Sequence, residues 1–211
     1  MNGESDARGT EDAGVKDDDE VTLREMRLLQ WRVSDFRFLQ VIGEGHDFSM
    51  YRAIHASTGM EFAIKKKHAL PSTADPSATN AANRRMEREV AVHSAVFQPA
   101  ITTFFGSFTD DSGDLYLVLE YAKNGDLFNF LHSGQTTAMS EADICERFIR
   151  PLVLAVAYLH SRGIIHRDIK PENIVLSNDD RGCSKLANFG FAIVTKSRRA
   201  CTRRWGPYLP L

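Results

Sequence analysis

Residues 166–173 read His166-Arg167-Asp168-Ile169-Lys170-Pro171-Glu172-Asn173, directly after an apolar helical stretch. This octapeptide places a carboxylate (Asp168), an ammonium (Lys170) and a carboxamide (Asn173) within six positions. A carboxylate can accept a proton from a hydroxyl group, and an amide oxygen suits a hard cation such as Mg²⁺. Chemically unlike groups at such fixed spacing rarely arise by chance, so the stretch predicts a catalytic loop.

The pattern H-R-D-x-K-x-x-N resembles the catalytic loop of protein kinases. The resemblance implies that Asp168 acts as the base or orients the substrate hydroxyl, and that Lys170 offsets charge on the transferred phosphoryl group. It implies a Mg²⁺-ligating role for Asn173 and a phosphate-anchoring role for Arg167. His166 is expected in the core rather than in the chemistry.

Upstream, the strand-like stretch F-A-I-K that ends at Lys65 resembles the V-A-I-K strand of the same family. The resemblance implies that Lys65 neutralises the α- and β-phosphates of ATP, whereas the alternative is a solvated basic strand end. Its acidic partner is expected on a helix predicted over Ala81–Val96. Glu89 fits best because it shares that helix's buried face, and Glu87 is the alternative.

A glycine loop precedes this strand. Gly43 and Gly45 would let backbone N–H groups approach phosphates without a Cβ clash. The usual G-x-G-x-x-G pattern is broken, because Phe48 stands at the third glycine and Asp47 replaces an aromatic residue. Asp47 would repel ATP, and the loop alone would equally fit a plain hairpin turn.

The stretch Leu119-Glu120-Tyr121-Ala122 matches the hinge that recognises adenine in the family. Backbone groups of Glu120 and Ala122 would bond the base, and Asp126 would accept a bond from the ribose. An ordinary edge strand and turn is the alternative. The apolar residues that the resemblance places around the purine are Ile42, Met50, Ala63 and Val175.

The residue at the expected second metal-ligand position differs from the one that protein kinases carry there. Residues 186–190 read L-A-N-F-G, so Asn188 stands where kinases carry the aspartate of D-F-G. A neutral amide attracts Mg²⁺ far less than a carboxylate does. We therefore expect Asn188 and Asn173 to retain Mg²⁺ weakly and phosphoryl transfer to be greatly reduced.

The predicted fold class is α+β and protein-kinase-like, in which a five-stranded antiparallel sheet with one helix (the N-lobe) precedes a partial helical C-lobe. We expect an acidic disordered tail and short helix in 1–30, the N-lobe in 31–122, and the partial C-lobe in 123–211, ending in the activation segment. Pro151 predicts a distortion inside the helix 141–162. The predicted strands are Phe36–Ile42, Tyr51–His55, Glu61–Lys66, Thr102–Phe108 and Leu115–Glu120.

Composition narrows the setting. The chain begins with a polar, acidic stretch and lacks an apolar run of membrane-spanning length, so we expect neither a secretory signal nor a membrane anchor. Its three scattered cysteines suggest no disulfide framework or zinc site. A cytoplasmic or nuclear protein is expected.

The last residues, 196–211, stop before the family's A-P-E segment. Thr202 lies among arginines, which fits either a phosphorylated activation segment or a basic loop that serves as a nuclear address or nucleic-acid patch. The nucleic-acid partner is the weaker expectation. This basic stretch and Trp31 most resemble Aurora-type serine/threonine kinases.

Together these motifs predict an ATP- and Mg²⁺-dependent serine/threonine protein kinase that acts on a protein substrate. The alternatives are a nucleotide-binding or scaffolding pseudokinase with a protein partner, favoured by Asp47, Phe48 and Asn188, and a nonfunctional fragment.

Overall fold

The computed structural model describes residues 26–27, 29–45, 48–67, 76–134, 139–179 and 181–195, with the side chains of the first helix given from position 84. The expectations for the acidic tail, for Asp47 and for the basic stretch around Thr202 concern positions outside these ranges. Most of the short helix expected before Trp31 also lies outside them.

Five antiparallel strands form one sheet in the order β1-β2-β3-β5-β4, which confirms the predicted N-lobe sheet. The β2 strand begins three residues before the predicted start at Tyr51, because Phe48 pairs with Lys67 across the sheet. Its neighbour β1 extends two residues beyond the predicted end at Ile42. The strand bounds are Phe36–Glu44 (β1), Phe48–His55 (β2), Glu61–Lys67 (β3), Phe104–Thr109 (β4) and Leu115–Glu120 (β5).

One helix, α1 (Pro76–Ser94), packs against this sheet. It begins five residues before the predicted start at Ala81 and ends two residues before the predicted end at Val96. Proline suits the first turn of a helix, where its missing N–H is not needed and its fixed φ is already helical. The buried face expected on this helix is confirmed, because Met86, Glu89 and His93 are buried.

The C-lobe begins with α2 (Leu127–His132) and continues through α3 (Glu141–Ile144), a π-helical turn (Cys145–Ile149) and α4 (Arg150–Ser161). The distortion expected at Pro151 is present, since the wide turn lies directly before it. Pro151 occupies the first turn of α4, where a missing N–H is tolerated. None of the helices in the described ranges has the length and apolar character that crossing a bilayer requires.

Four short strands follow the N-lobe and connect the loops of the C-lobe. Strands of two or three residues are too short for the sequence to predict. The β7 and β8 strands pair with each other, as do β6 and β9. The predicted catalytic loop connects β6 to β7, and the N-F-G stretch connects β8 to β9, so the two loops face each other. The bounds are Ile164–Ile165 (β6), Ile174–Leu176 (β7), Ser184–Leu186 (β8) and Ile193–Val194 (β9).

Candidate active site

A cleft of about 550 Å³ runs between the sheet and the helical lobe. Gly45 and Asp168 lie beside it, because Gly45 packs against the ring of Phe48 and Asp168 is bonded to Asn173, and both of these partners line the cleft. The sequence-predicted residues that line the cleft are Ile42, Gly43, Met50, Ala63, Lys65, Glu89, Glu120, Ala122, Asp126, Lys170, Asn173, Val175 and Asn188.

The hinge side of the cleft is held by contacts that the sequence did not reveal. The Glu120 carboxylate accepts hydrogen bonds from Lys185 Nζ at 2.5 Å and from the Thr103 N–H at 2.9 Å. The Asn178 side chain accepts from the Lys123 N–H, and it donates to the carbonyl that precedes Ala122, at 2.7 Å each. The bonds from Lys185 and with Asn178 tie the hinge to the C-lobe.

Asp126 lines the cleft but also caps α2. One carboxylate oxygen accepts from the Asn129 N–H at 2.7 Å and the other from the Asn129 side-chain amide at 2.9 Å. An Asp at this position satisfies an otherwise unpaired N–H group of the helix start. A ribose hydroxyl that bonds Asp126 would therefore share an already bonded carboxylate.

A buried ion pair lies at the other end of the cleft. Lys65 Nζ lies 2.7 Å from Glu89 Oε2, and the two side chains are only 6% and 2% exposed. Glu89 is thus the helix residue that contacts Lys65, whereas Glu87 is exposed. The second Glu89 oxygen is buried and has no hydrogen-bond partner within the described residues. The pair joins β3 to α1. Removing either charge would leave the other uncompensated in the interior, so the contact between strand and helix depends on both residues.

The catalytic loop is organised around Asp168. Asn173 Nδ2 donates to both the backbone carbonyl and the carboxylate of Asp168, at 2.8 and 2.7 Å. Lys170 Nζ lies 3.4 Å from the same carboxylate. Arg167 adopts a left-handed φ of 68°, and its Nε donates to the Phe191 carbonyl at 2.7 Å. This arrangement orients the Asp168 carboxylate, which is 22% exposed and therefore accessible from outside.

Asn188 faces the catalytic loop from the opposite side. Its φ of 65° is a left-handed conformation, which asparagine tolerates better than most residues do. Its amide nitrogen donates to Asn173 Oδ1 at 2.9 Å, so the Asn173 oxygen expected to bind Mg²⁺ already accepts a hydrogen bond.

This donor set does not fit a tightly held Mg²⁺ ion. Mg²⁺ in proteins is usually bound through carboxylates together with substrate phosphates. Asn173 and Asn188 are neutral, and one of their two oxygens is engaged. The described ranges also contain no cluster of three or more His, Cys, Asp or Glu side chains that could hold a metal ion.

A column of rings connects the two lobes behind the cleft. The centre of the His93 ring lies 5.6 Å from the centre of the Phe104 ring and 4.4 Å from that of Phe189. The ring centres of Phe189 and His166 are 5.0 Å apart. His93 and Phe189 are fully buried. His166 is buried as well, which confirms the expectation that it belongs to the core.

Burial lowers the pKa of His93 to about 4, although its hydrogen bond to the Thr102 carbonyl opposes the shift and the nearby Lys65 charge adds to it. His93 Nε2 lies 2.6 Å from that carbonyl, which accepts only if Nε2 carries the proton. The other ring nitrogen has no partner in the described part of the protein. The neutral imidazole is therefore the form that the folded protein accommodates.

We expect the free energy of unfolding to fall as the pH drops from about 6.5 to about 4. Over this window the unfolded state binds a proton at His93 and the folded state does not, so protonation favours unfolding by roughly 3 kcal/mol at most. Urea denaturation at a series of pH values measures the slope. A His93→Gln protein should lose this part of the pH dependence, and an unchanged slope in that variant would assign the effect to other groups.

Comparison with known proteins identifies the family of this chain. The protein kinase domain family model matches residues 36–207. The chain is 32% identical over 173 residues to an Aurora kinase from Encephalitozoon cuniculi. The aligned region covers 82% of this chain and 60% of the relative. It is 36% identical over 167 residues to human 3-phosphoinositide-dependent protein kinase 1, covering 77% of this chain and 27% of the relative.

A third relative, the probable serine/threonine protein kinase IREH1 from Arabidopsis thaliana, is 35% identical over 188 residues, covering 87% of this chain and 14% of the relative. The chain thus spans less than two thirds of the length of each of these relatives. The family model nevertheless covers most of the chain, and it includes both the sheet with its Lys65–Glu89 pair and the loop that carries Asp168. The chain therefore belongs to the protein kinase family, with the five-stranded N-lobe and part of the helical C-lobe of that fold.

Proposed function

We propose that this chain is a serine/threonine protein kinase domain that binds ATP in the cleft and transfers its terminal phosphoryl group to a protein hydroxyl, at a rate lowered by Asn188. The observation that carries the proposal is the placement of the buried Lys65–Glu89 pair across one cleft from Asp168, Lys170 and Asn173. Positioning and electrostatic stabilisation are the main contributions that a protein makes to phosphoryl transfer.

In this proposal each residue has a limited task. Ala63 leaves room for the purine, and Lys65, held by Glu89, attracts the phosphates. Asp168 accepts the hydroxyl proton or orients the hydroxyl, while Lys170, 3.4 Å from its carboxylate, offsets charge on the transferred group. When Mg²⁺ is present, as it is for protein kinases in general, it supplies charge neutralisation, which the neutral Asn188 supports only weakly.

Replacement of Asp168 by asparagine is expected to abolish transfer while ATP binding persists. The change removes the proton-accepting group but keeps its shape, and a positioned general base contributes roughly 10²–10⁴-fold. Transfer of ³²P from ATP to a panel of serine and threonine peptides measures the first effect, and a thermal shift with ATP measures the second. Asp111→Asn, in the exposed turn between β4 and β5, is the matched control. Equal transfer by the parent and the Asp168→Asn protein would contradict the proposal.

A second candidate function is nucleotide binding without transfer, in which the domain acts as a scaffold. The bond from Asn188 to Asn173 favours it, because a direct amide contact closes the two loops without a metal ion. ATP would then raise the melting temperature equally with and without Mg²⁺. A shift that requires Mg²⁺ would favour the kinase instead.

The finer assignments are part of the proposal. The relatives are different kinases, and their identity to this chain is similar, 32–36%. The Aurora-type resemblance therefore rests on the Trp31 region and the basic stretch after residue 195. We also propose a protein substrate or scaffold partner, a cytoplasmic or nuclear location, and lobe limits of 31–122 and 123–211.

A further inference from the structure

The side chain of Phe48 lies in the part of the cleft where a phosphate tail would meet Lys65. The centre of its ring is 4.5 Å from Lys65 Nζ. Phe48 borders both the nucleotide cleft and a small pocket behind it that is lined by Glu89 and Asn188. The ring therefore lies beside the ion pair, where the cleft and the small pocket meet.

The glycine loop rests on this ring. The Gly45 N–H donates to the Phe48 carbonyl at 2.9 Å. A Cβ added at Gly45 would lie 2.2 Å from the Phe48 ring, so glycine is the residue that fits there. Gly45 and the Phe48 ring are thus packed directly against each other.

Lys65 is consequently covered on two sides. Its side chain is 6% exposed, with Glu89 at 2.7 Å and the Phe48 ring face near the same nitrogen. An aromatic face attracts a cation, and the attraction grows when water is excluded. A phosphate that approaches Lys65 Nζ therefore meets the Phe48 ring over one side of the nitrogen.

The purine end of the cleft is free of this obstruction. In the sheet Phe48 pairs with Lys67, whereas Ala63, on the purine side, pairs with Arg52. Phe48 and Arg52 are four residues apart on one strand, a distance of roughly 13 Å. Phe48 therefore lies on the strand away from Ala63, and its ring contacts Lys65.

We infer that Phe48 makes the cleft select ligands by the length of their phosphate tail: adenosine binds with the ring in place, and ATP binds only after the ring has left Lys65. Phe48 is then a residue that determines specificity within the nucleotide site. The inference rests on the proposed function, because it presumes that the cleft binds adenine compounds.

Calorimetric titration of adenosine and of ATP into the parent and a Phe48→Gly protein tests the inference. We expect ATP to bind about tenfold more tightly to the variant, and adenosine to bind equally to both. Phe128→Ala removes an exposed ring of α2 that does not line the cleft, and it should change neither affinity. If Phe48→Gly fails to fold, Phe48→Leu keeps bulk but lacks the ring face, and a gain of about threefold for ATP is expected.

The outcomes separate this inference from the proposed function. Equal ATP affinity in the parent and the folded Phe48 variant would overturn the inference and leave nucleotide binding intact. An equal gain for adenosine would also overturn it, since the ring would then obstruct the whole cleft. If neither ligand bound to any folded variant, both the inference and the proposed function would be wrong.

Discussion

An Asn188→Asp protein is expected to transfer phosphate from ATP about 100-fold faster than the parent, the effect of one well-placed electrostatic group. Aspartate has the shape of asparagine and also tolerates the left-handed φ of 65° at this position. The new carboxylate cannot donate to Asn173 Oδ1, so this oxygen would be released from its hydrogen bond. The Asn173 amide oxygen and the new carboxylate at position 188 would then both be available to Mg²⁺, which prefers such oxygen ligands.

Two measurements test this expectation. In a radiolabelled ATP assay, robust activity of equal size in the parent and the Asn188→Asp protein would contradict it. Adding Asp168→Asn to the variant should abolish the gained activity, which shows that the gain uses the proposed base. Independently of activity, Mg²⁺ with ATP should raise the melting temperature of the Asn188→Asp protein more than that of the parent.

A Glu89→Gln protein is expected to lose about 3 kcal/mol of unfolding free energy. The change leaves the Lys65 ammonium buried, at 6% exposure, without its negative partner. Urea denaturation measures the loss through the transition midpoint. ATP binding should weaken as well, because Lys65 would no longer be held toward the cleft.

Glu87→Gln is the matched control, since Glu87 lies on the same helix but is exposed. Its replacement should change the free energy of unfolding by no more than about 0.5 kcal/mol. A Lys65→Met/Glu89→Leu double variant should regain stability, because apolar residues can replace a buried pair, yet still bind ATP weakly. Equal losses in Glu87→Gln and Glu89→Gln would show that the buried pair does not stabilise the fold.

The sequence predicted the elements whose signal is local. The five strands and the buried stripe of α1 followed from the spacing of apolar residues, which the backbone geometry of strands and helices imposes. The start of α1 was missed, because the small and polar residues around Ala81 show no apolar periodicity. The strands β6 to β9 are too short to show any periodicity.

In the candidate site, too, some residues were predictable from local sequence motifs and some contacts were not. Motif spacing identified Asp168, Lys65 and the departure at Asn188, because these residues belong to short stretches with fixed chemistry. The bond from Lys185 to Glu120 was not predictable, since its partners are 65 positions apart and meet only when the hinge docks on the C-lobe.

The amino-acid order by itself determined which chemical groups the motifs supply: the carboxylate of Asp168, the ammonium groups of Lys65 and Lys170, and the amides of Asn173 and Asn188, the second of which stands where protein kinases carry an aspartate. Tertiary structure alone decided how these groups are engaged, namely that the Asn188 amide bonds Asn173 and that the Phe48 ring covers Lys65. Residue type fixes charge and hydrogen-bonding capacity, whereas a partner at 3–5 Å is set by the packing of segments that are distant in the chain.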